Sequence, residues 1–318
     1  MTAPPVFVDH FAFALGATTA TVEEAAQSGR TFSSAAALRG AGFQQHHFCP
    51  PGVPAYALAR QSLQQMRGML QDVGAIIYAT CIPLNASLGN PQQFRESRDV
   101  RHLMDFPASH LQAEFGLEHA TVIGLEQQAC TGMLGTLRLA RALLLAEPKV
   151  RRVLCVTADR FPEEAVYEQS YNLISDGAAA CIVSSESGGF HLLAGHAVTN
   201  GAMAQATADE TAGSYFSYAS QVIGETLDKA GLNVGDIDYF LPQNTVPKVW
   251  QILARLVGFD YSRVYCPTLS RVGHVISSDN IINLCHLIAS GRLAPGARVL
   301  LFMAGYGLNW QCVILERK

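Results

Sequence analysis

A cysteine at the junction of a strand and a helix is well placed to act as a nucleophile, and this chain has one. Val122–Leu125 is a short apolar run of the kind that forms a buried strand. From Thr131 onward, Met133, Leu134, Leu137, Ala140 and Leu144 recur at helical spacing. Cys130 therefore falls at the first turn of a helix. Unpaired N–H groups and the positive end of the helix dipole favour a thiolate there. Gly132 and Gly135 leave room for another segment to approach closely. A buried free thiol with no chemical role fits the same residues.

The stretch Ser270–Leu284, SRVGHVISSDNIINL, sets His274 after a glycine turn and Asp279 five residues later, inside the first turns of a helix. A carboxylate in that place reaches back to an imidazole nitrogen, sets its tautomer and raises its basicity. Cys130, His274 and Asp279 would then be nucleophile, base and orienting group. Taken alone, these residues are better explained by helix capping at Asp279 and a surface position for His274.

Two further stretches carry weaker signals. In FLPQNTVPKVW, Phe240–Trp250, a strand ends at Pro242 and polar Gln243 and Asn244 follow, at the strand end where α/β sheets place sites. Near the C-terminus, Gly305, Tyr306 and Gly307 interrupt two apolar strands. Backbone N–H groups freed there suit an oxyanion, and a tight hairpin is the ordinary alternative. His46-His47-x-Cys49 is the one metal-like cluster in the sequence. With no second pair of ligands it reads as a solvated loop, and no metal site is expected.

The elements that must position these residues alternate along the chain. Strand-like runs occur at Val6–Phe13, Ala75–Ala79, Ala120–Leu125, Val153–Thr157, Ala179–Ser184, His191–Val198, Tyr239–Leu241, Val299–Ala304 and Gln311–Leu315. Helical periodicity marks Val22–Ser28, behind a Thr21/Glu24 capping box, and then Tyr56–Gln71, Ser109–Phe115 and the segment after Cys130. Later helices are expected at Tyr215–Ala230, Val246–Val257 and Ile276–Ser290. This is the pattern of an α/β layered fold with largely parallel strands. The order looks duplicated about a break at Ser184–Gly189. It divides the chain into residues 1–186, which carry Cys130, and residues 187–318, which carry His274, Asp279 and the glycine turn.

Composition narrows the class. The chain has 318 residues, of which 49% are hydrophobic and 15% charged, enough for a large buried core. A net charge of -4 without a Lys/Arg-rich run speaks against nucleic-acid binding. No apolar stretch is expected to reach the ~18 residues that a membrane span needs. The N-terminus lacks the basic region of a signal peptide. Eight cysteines with no C-x-x-C pair read as reduced thiols of a cytoplasmic protein.

In order, these stretches resemble the ketoacyl-acyl-carrier-protein synthase III branch of the thiolase superfamily. EQQACTGMLG resembles its nucleophile motif D-x-x-A-A-C-x-G-F, and LISDGAAACIV, Leu173–Val183, resembles F-G-D-G-A-G-A-x-x-L. YATCIPL at Tyr78–Leu84 resembles V-A-T-x-T-P. FPASHLQAEFG at Phe106–Gly116 resembles F-P-S-x-A-x-x-x-Q-x-x-L-G, and AGYGLNWQCVIL resembles G-G-G-x-x-W-G. The resemblance implies an α/β thiolase fold, duplicated into five layers, α-β-α-β-α, and a homodimer in which Phe106 approaches the partner's acyl tunnel.

The departures from that pattern bear on activity. Where decarboxylating members carry P-H-Q-A-N, this chain reads Pro242-Gln243-Asn244-Thr245-Val246, with Gln243 at the His position. Where they carry G-N-T-S it reads Gly273-His274-Val275-Ile276, with His274 at the Asn position. The usual Cys-His-Asn set has become Cys130, Gln243 and His274, with Asp279 added. Relatives with Cys-His-Asp or Ser-His-Asp at these places are acyltransferases or unusual starter-unit enzymes of polyketide and other specialised metabolism. The resemblance therefore implies transfer of an acyl group, by way of an acyl-enzyme on Cys130, from a carrier-protein or coenzyme A thioester to a small-molecule or carrier-bound acceptor. No cofactor is implied. Carbon–carbon condensation is the alternative. The basic stretch that faces coenzyme A has decayed to Arg39–His46, whereas Lys248 keeps a positive charge where the family docks a carrier protein.

Overall fold

The computed structural model describes residues 4–83, 90–169, 172–205, 208–306 and 309–318, with backbone alone over 208–212. The first half lays down β1 (Phe7–Leu15), then β2 (Thr18–Thr21), α1 (Val22–Gln27), α2 (Ala35–Gly40) and β3 (Gln45–Phe48). It continues through α3 (Ala55–Gln65), β4 (Ala75–Ala79), α4 (Pro91–Ser97), α5 (Pro107–Glu114), β5 (Thr121–Leu125), α6 (Gly132–Ala146) and β6 (Arg152–Asp159). A short pair, β7 (Glu168–Gln169) and β8 (Asn172–Leu173), precedes β9 (Gly177–Ser184). The second half holds β10 (Phe190–Thr199), α7 (Ala208–Ala230), β11 (Tyr239–Leu241), α8 (Pro247–Val257), α9 (Leu269–Val272), α10 (Asp279–Ala289), β12 (Arg298–Gly305) and β13 (Asn309–Arg317).

Among the described residues the principal sheet runs β11-β12-β13-β10-β1-β9-β6-β4-β5. The order is mirrored about the seam between β10 and β1, where only Phe7↔His191 and Val8↔Phe190 pair. In each half the strand laid down last, β9 or β13, lies antiparallel beside the first, β1 or β10. The outer strands β4, β5 and β6, and β11 with β12, are parallel. The sheet is therefore mixed, not largely parallel as the alternation of elements suggested. The physical reason is that β13 follows β12 through a connection too short for a helical crossover, and that the longer connection into β9 carries the β7–β8 pair and no described helix.

Alternating side chains sort the molecule into layers. Ala75, Ile77, Val153 and Cys155 of one half-sheet and Val299, Leu301, Val313 and Leu315 of the other face a shared core filled by α6 and α10. The residues between them, Ile76, Tyr78, Leu154 and Val156, pack outward on α3 and α5. Leu300, Phe302, Cys312 and Ile314 pack outward on α7 and α8. The result is the five-layered α-β-α-β-α body of the thiolase fold. Its strands are apolar on both faces because both faces are covered.

Local expectations fare unevenly. The Thr21/Glu24 capping box is present, and α3 ends sooner than its periodicity suggested, at Gln65. Ala129–Ala146 is long and apolar enough to cross a membrane by length and composition, against expectation. It is the Cys130 turn and α6, whose Met133, Leu134, Leu137, Ala140 and Leu144 are buried in the central core.

Candidate active site

The site is built where three chain segments meet at the N-terminal end of α6. Cys130 lies in a short 3-10 turn, Ala129–Thr131, that follows β5 and runs into α6. Ala129 takes φ 43°, a left-handed conformation that costs an alanine energy and that its neighbours must hold in place. They do so from two sides. Ser277 Oγ donates to Ala129 O at 3.0 Å. At the end of β12, a Cβ on Gly305 would meet Gln128 O at 2.9 Å and Ala129 Cβ at 3.1 Å, so only glycine lets that strand press on the turn.

His274 is brought in by an equally constrained loop. Gly273 has φ 70°, and a Cβ there would sit 2.6 Å from Leu173 O. Its absence lets His274 N–H donate to Leu173 O at 2.8 Å, while His274 O accepts from Ser175 N–H at 2.8 Å. Ile276, with φ 46°, is a β-branched residue in a conformation such residues rarely adopt. That turn starts the chain into α10 and puts Asp279 behind the imidazole. His274 Nδ1–H donates to Asp279 Oδ2 at 2.5 Å. The same carboxylate accepts from Asn244 N–H and Val275 N–H, each at 2.7 Å. Both side chains are out of water, at 2% and 0% exposure. The surface-histidine and helix-cap explanations therefore do not hold.

The imidazole and the Cys130 thiol lie close enough to act on each other electrostatically, which brings together two residues coded far apart. The Cys130 thiol is held well below the ordinary thiol range. A hydrogen bond from Cys81 contributes most, and the His274 hydrogen bond and charge add to it against the opposing effect of burial. Burial on its own would lower His274. The charge and hydrogen bond of Asp279, with Cys130, outweigh it and raise the ring to about 10. Both shifts favour a thiolate facing an imidazolium.

The two polar residues after β11 part company. Gln243 Oε1 accepts from Ala304 N–H at 2.8 Å. That contact fixes the amide's orientation and leaves its NH2 group without a partner among the described residues. Asn244, expected beside Gln243 as a substrate contact, turns inward instead. Its side chain donates to Thr268 Oγ1 at 2.9 Å and Gly273 O at 2.8 Å, and accepts from Asn283 Nδ2 at 3.0 Å. With every polar atom used and 0% exposure, Asn244 braces the His274 loop and is not a substrate contact.

Tyr306 follows β12 with its side chain exposed, and Gly307 lies outside the described residues. Phe106 caps α5 and is exposed, as are Val100, Leu103 and Met104 just before it in the chain. Lys248 is exposed in the first turn of α8. The His46 cluster is not a solvated loop. His46 is on β3 and fully buried, its Nδ1–H donates to Ile174 O at 2.9 Å, and burial lowers the ring to about 4. Among the described residues no group of His, Cys, Asp or Glu is arranged to hold a metal ion.

Sequence reasoning missed Cys81 and Ser277. Cys81 was within reach of it. Ala79 and Leu125 end parallel neighbouring strands, β4 and β5, and residues just past such strand ends share a site.

The family model for 3-oxoacyl-[acyl-carrier-protein] synthase III matches residues 126–201, and the model for its C-terminal part matches residues 227–317. The chain is similar to the beta-ketoacyl-[acyl-carrier-protein] synthase III of Neorickettsia sennetsu, at 27% identity over 77% of each chain. Among solved structures it shares the fold of ChlB3, described as an acyltransferase, with a TM-score of 0.82 at 21% identity over 99% of this chain and 98% of that one. It also shares the fold of the 3-oxoacyl-[acyl-carrier-protein] synthase III of Aquifex aeolicus, with a TM-score of 0.76 at 17% identity over 98% of this chain and 99% of that one. On its motifs, its five-layered fold and these matches, the chain belongs to the 3-oxoacyl-acyl-carrier-protein synthase III-like proteins of the thiolase superfamily.

Proposed function

We propose that the protein is an acyltransferase that carries its acyl group on Cys130. The observation that supports this reading is the buried, hydrogen-bonded His274–Asp279 pair set against Cys130, with Asp279 fully engaged. The Cys130 thiolate attacks the carbonyl carbon of an acyl thioester. The N–H group of Cys130 receives the oxyanion. As the carbon–sulfur bond of the donor breaks, the imidazolium gives its proton to the leaving thiolate. His274 is then neutral and its Nδ1–H stays on Asp279, so Nε2 is free to act as a base. It takes the proton of the acceptor nucleophile, which attacks the acyl-enzyme and expels Cys130 as thiolate. The imidazolium is restored, and no cofactor takes part.

A thioester on a carrier protein suits the surface better than coenzyme A. Arg39, the one arginine kept in the decayed basic stretch, is already paired with Glu23 at 2.6 Å. Lys248 stands exposed on α8 beside exposed Ile252 and Leu256. A homodimer through the face carrying Phe106 and a cytoplasmic place of work, in keeping with eight free thiols, go with this reading. The free amide NH2 of Gln243 favours the second reading, a condensing enzyme in which Gln243 and His274 hold an enolate.

Intact-mass analysis after incubation with acyl thioesters tests the proposal. An adduct mapped to Cys130 is expected, and His274→Ala should slow transfer far more than adduct formation. Equal loss of both steps would remove His274 as the base. Cys130-dependent release of carbon dioxide from a malonyl thioester would select condensation.

A further inference from the structure

The end of β4 sets a second thiol against the nucleophile. Ala79 closes that strand opposite Leu125, and Thr80 N–H reaches Leu125 O at 3.2 Å. Cys81 comes next, its N–H donating to Asp159 Oδ1 at 2.7 Å. Asp159 also accepts from Thr80 Oγ1 at 2.7 Å and Ile82 N–H at 3.2 Å, which pins the backbone on both sides of Cys81. Ala79 Cβ lies 3.1 Å from where a Cβ on Gly132 would stand, two residues past Cys130. Cys81 and Cys130 pack on the same apolar cluster, Phe161, Tyr167, Ile174 and Ile276, with their thiols close enough to act on each other.

We propose that Cys81 is a catalytic residue of the acyl transfer, its S–H donating to the Cys130 thiolate before attack and again as that thiolate leaves. The role rests on the acyl-enzyme reading above. A thiolate packed beside Phe161 and Ile276 is only partly solvated, and a partly buried charge without a partner is costly. His274 meets that need while it stays on Cys130. During deacylation it faces the proton of the acceptor, and Cys81 is the donor that remains. Cys81 gives up no proton in the cycle. Its thiol is pushed far above the ordinary range, chiefly by its hydrogen bond to Cys130 and then by burial. The other ionisable groups facing Cys130 are His274 and Asp279 from the α10 side, Asp159 from β6 and Tyr215 from α7. Asp159 and Asp279 oppose a thiolate, which makes a second neutral donor the more necessary.

The test is the rate of Cys130 alkylation by iodoacetamide from pH 4 to 10, followed by peptide mass mapping, in wild type, Cys81→Ser and Cys81→Ala. No acyl donor is needed, so its failure is separable from failure of the acyltransferase reading. Cys81→Ala should move the alkylation midpoint up by about one pH unit, roughly a tenfold loss of rate on the acid side. Cys81→Ser keeps a donor and should recover most of that shift. In wild type, the dithiol oxidant diamide should join Cys81 to Cys130 in a disulfide that dithiothreitol reverses. A folded Cys81→Ala with an unchanged midpoint, or Ser behaving as Ala does, would overturn the assignment.

Discussion

Asp279→Asn is the substitution that most directly probes the chemistry. It keeps the shape of the side chain and removes the charge from a site with 0% exposure. Asp279 takes three donors, from His274, Asn244 and Val275. An amide offers one acceptor oxygen and one NH2, so at least one of those N–H groups would face another donor. The larger loss is electrostatic. The His274 ring stands at about 10 in place of 6.5, with the Asp279 charge its strongest support. At ~1.4 kcal/mol per pH unit, that difference is roughly 5 kcal/mol in favour of the imidazolium. Without Asp279 the ring falls toward its ordinary value or below, and the thiolate loses its counter-charge.

The sign follows from the two shifts. In wild type the imidazolium persists up to about pH 10, so the ion pair spans neutral pH. In Asp279→Asn the imidazolium is lost above ~6.5, and the Cys130 alkylation midpoint climbs toward the ordinary thiol value of about 8.5. Acyl transfer at pH 7.5 should fall by about 10²–10⁴-fold, the usual worth of a positioned general base. The assays are iodoacetamide labelling against pH and single-turnover transfer from preformed acyl-enzyme, with circular dichroism to show that the variant is folded. A folded Asp279→Asn with an unchanged labelling profile and less than a tenfold loss of transfer would refute the ion-pair argument.

Gly305→Ala should press a Cβ to 2.4 Å from Asn309 Oδ1 and 2.9 Å from Gln128 O. Because Gln128 O is backbone of the Cys130 turn, adduct formation should slow by about tenfold or more, with ~1–3 kcal/mol lost in urea denaturation; an unchanged adduct rate would detach this strand end from the site. Buried His46 sits at about 4 in the folded protein against 6.5 when free, so the folded state binds fewer protons between those values. Stability is complete above pH 6.5 and is lost as pH falls toward 4, by up to roughly 3 kcal/mol; thermal unfolding against pH should show that slope, and His46→Gln should flatten it.

The layered fold and the residues of the candidate site, Cys130, His274 and Asp279, were readable from the sequence. Its periodicities place β4, β5, α6, β11, α8 and α10 close to where they form, because buried strands and helix faces need apolar residues at spacings of two and 3.6. Cys130, His274 and Asp279 were legible because a junction cysteine, a glycine turn and an i, i+5 carboxylate are local patterns. Tertiary structure decided how neighbours divide the work. Gln243 and Asn244 are equivalent as sequence, yet Ala304 N–H orients one and leaves its NH2 without a partner among the described residues, while Thr268, Gly273 and Asn283 draw the other inward. His46 resembled a solvated residue, and only the packing of Phe48, Tyr167 and the Ile174 backbone against it buries it. Parallel or antiparallel return of β9 and β13, and the meeting of Cys81 with Cys130, depend on which strand ends lie side by side. No local spacing encodes that, because such contacts are set when distant segments bury a shared core.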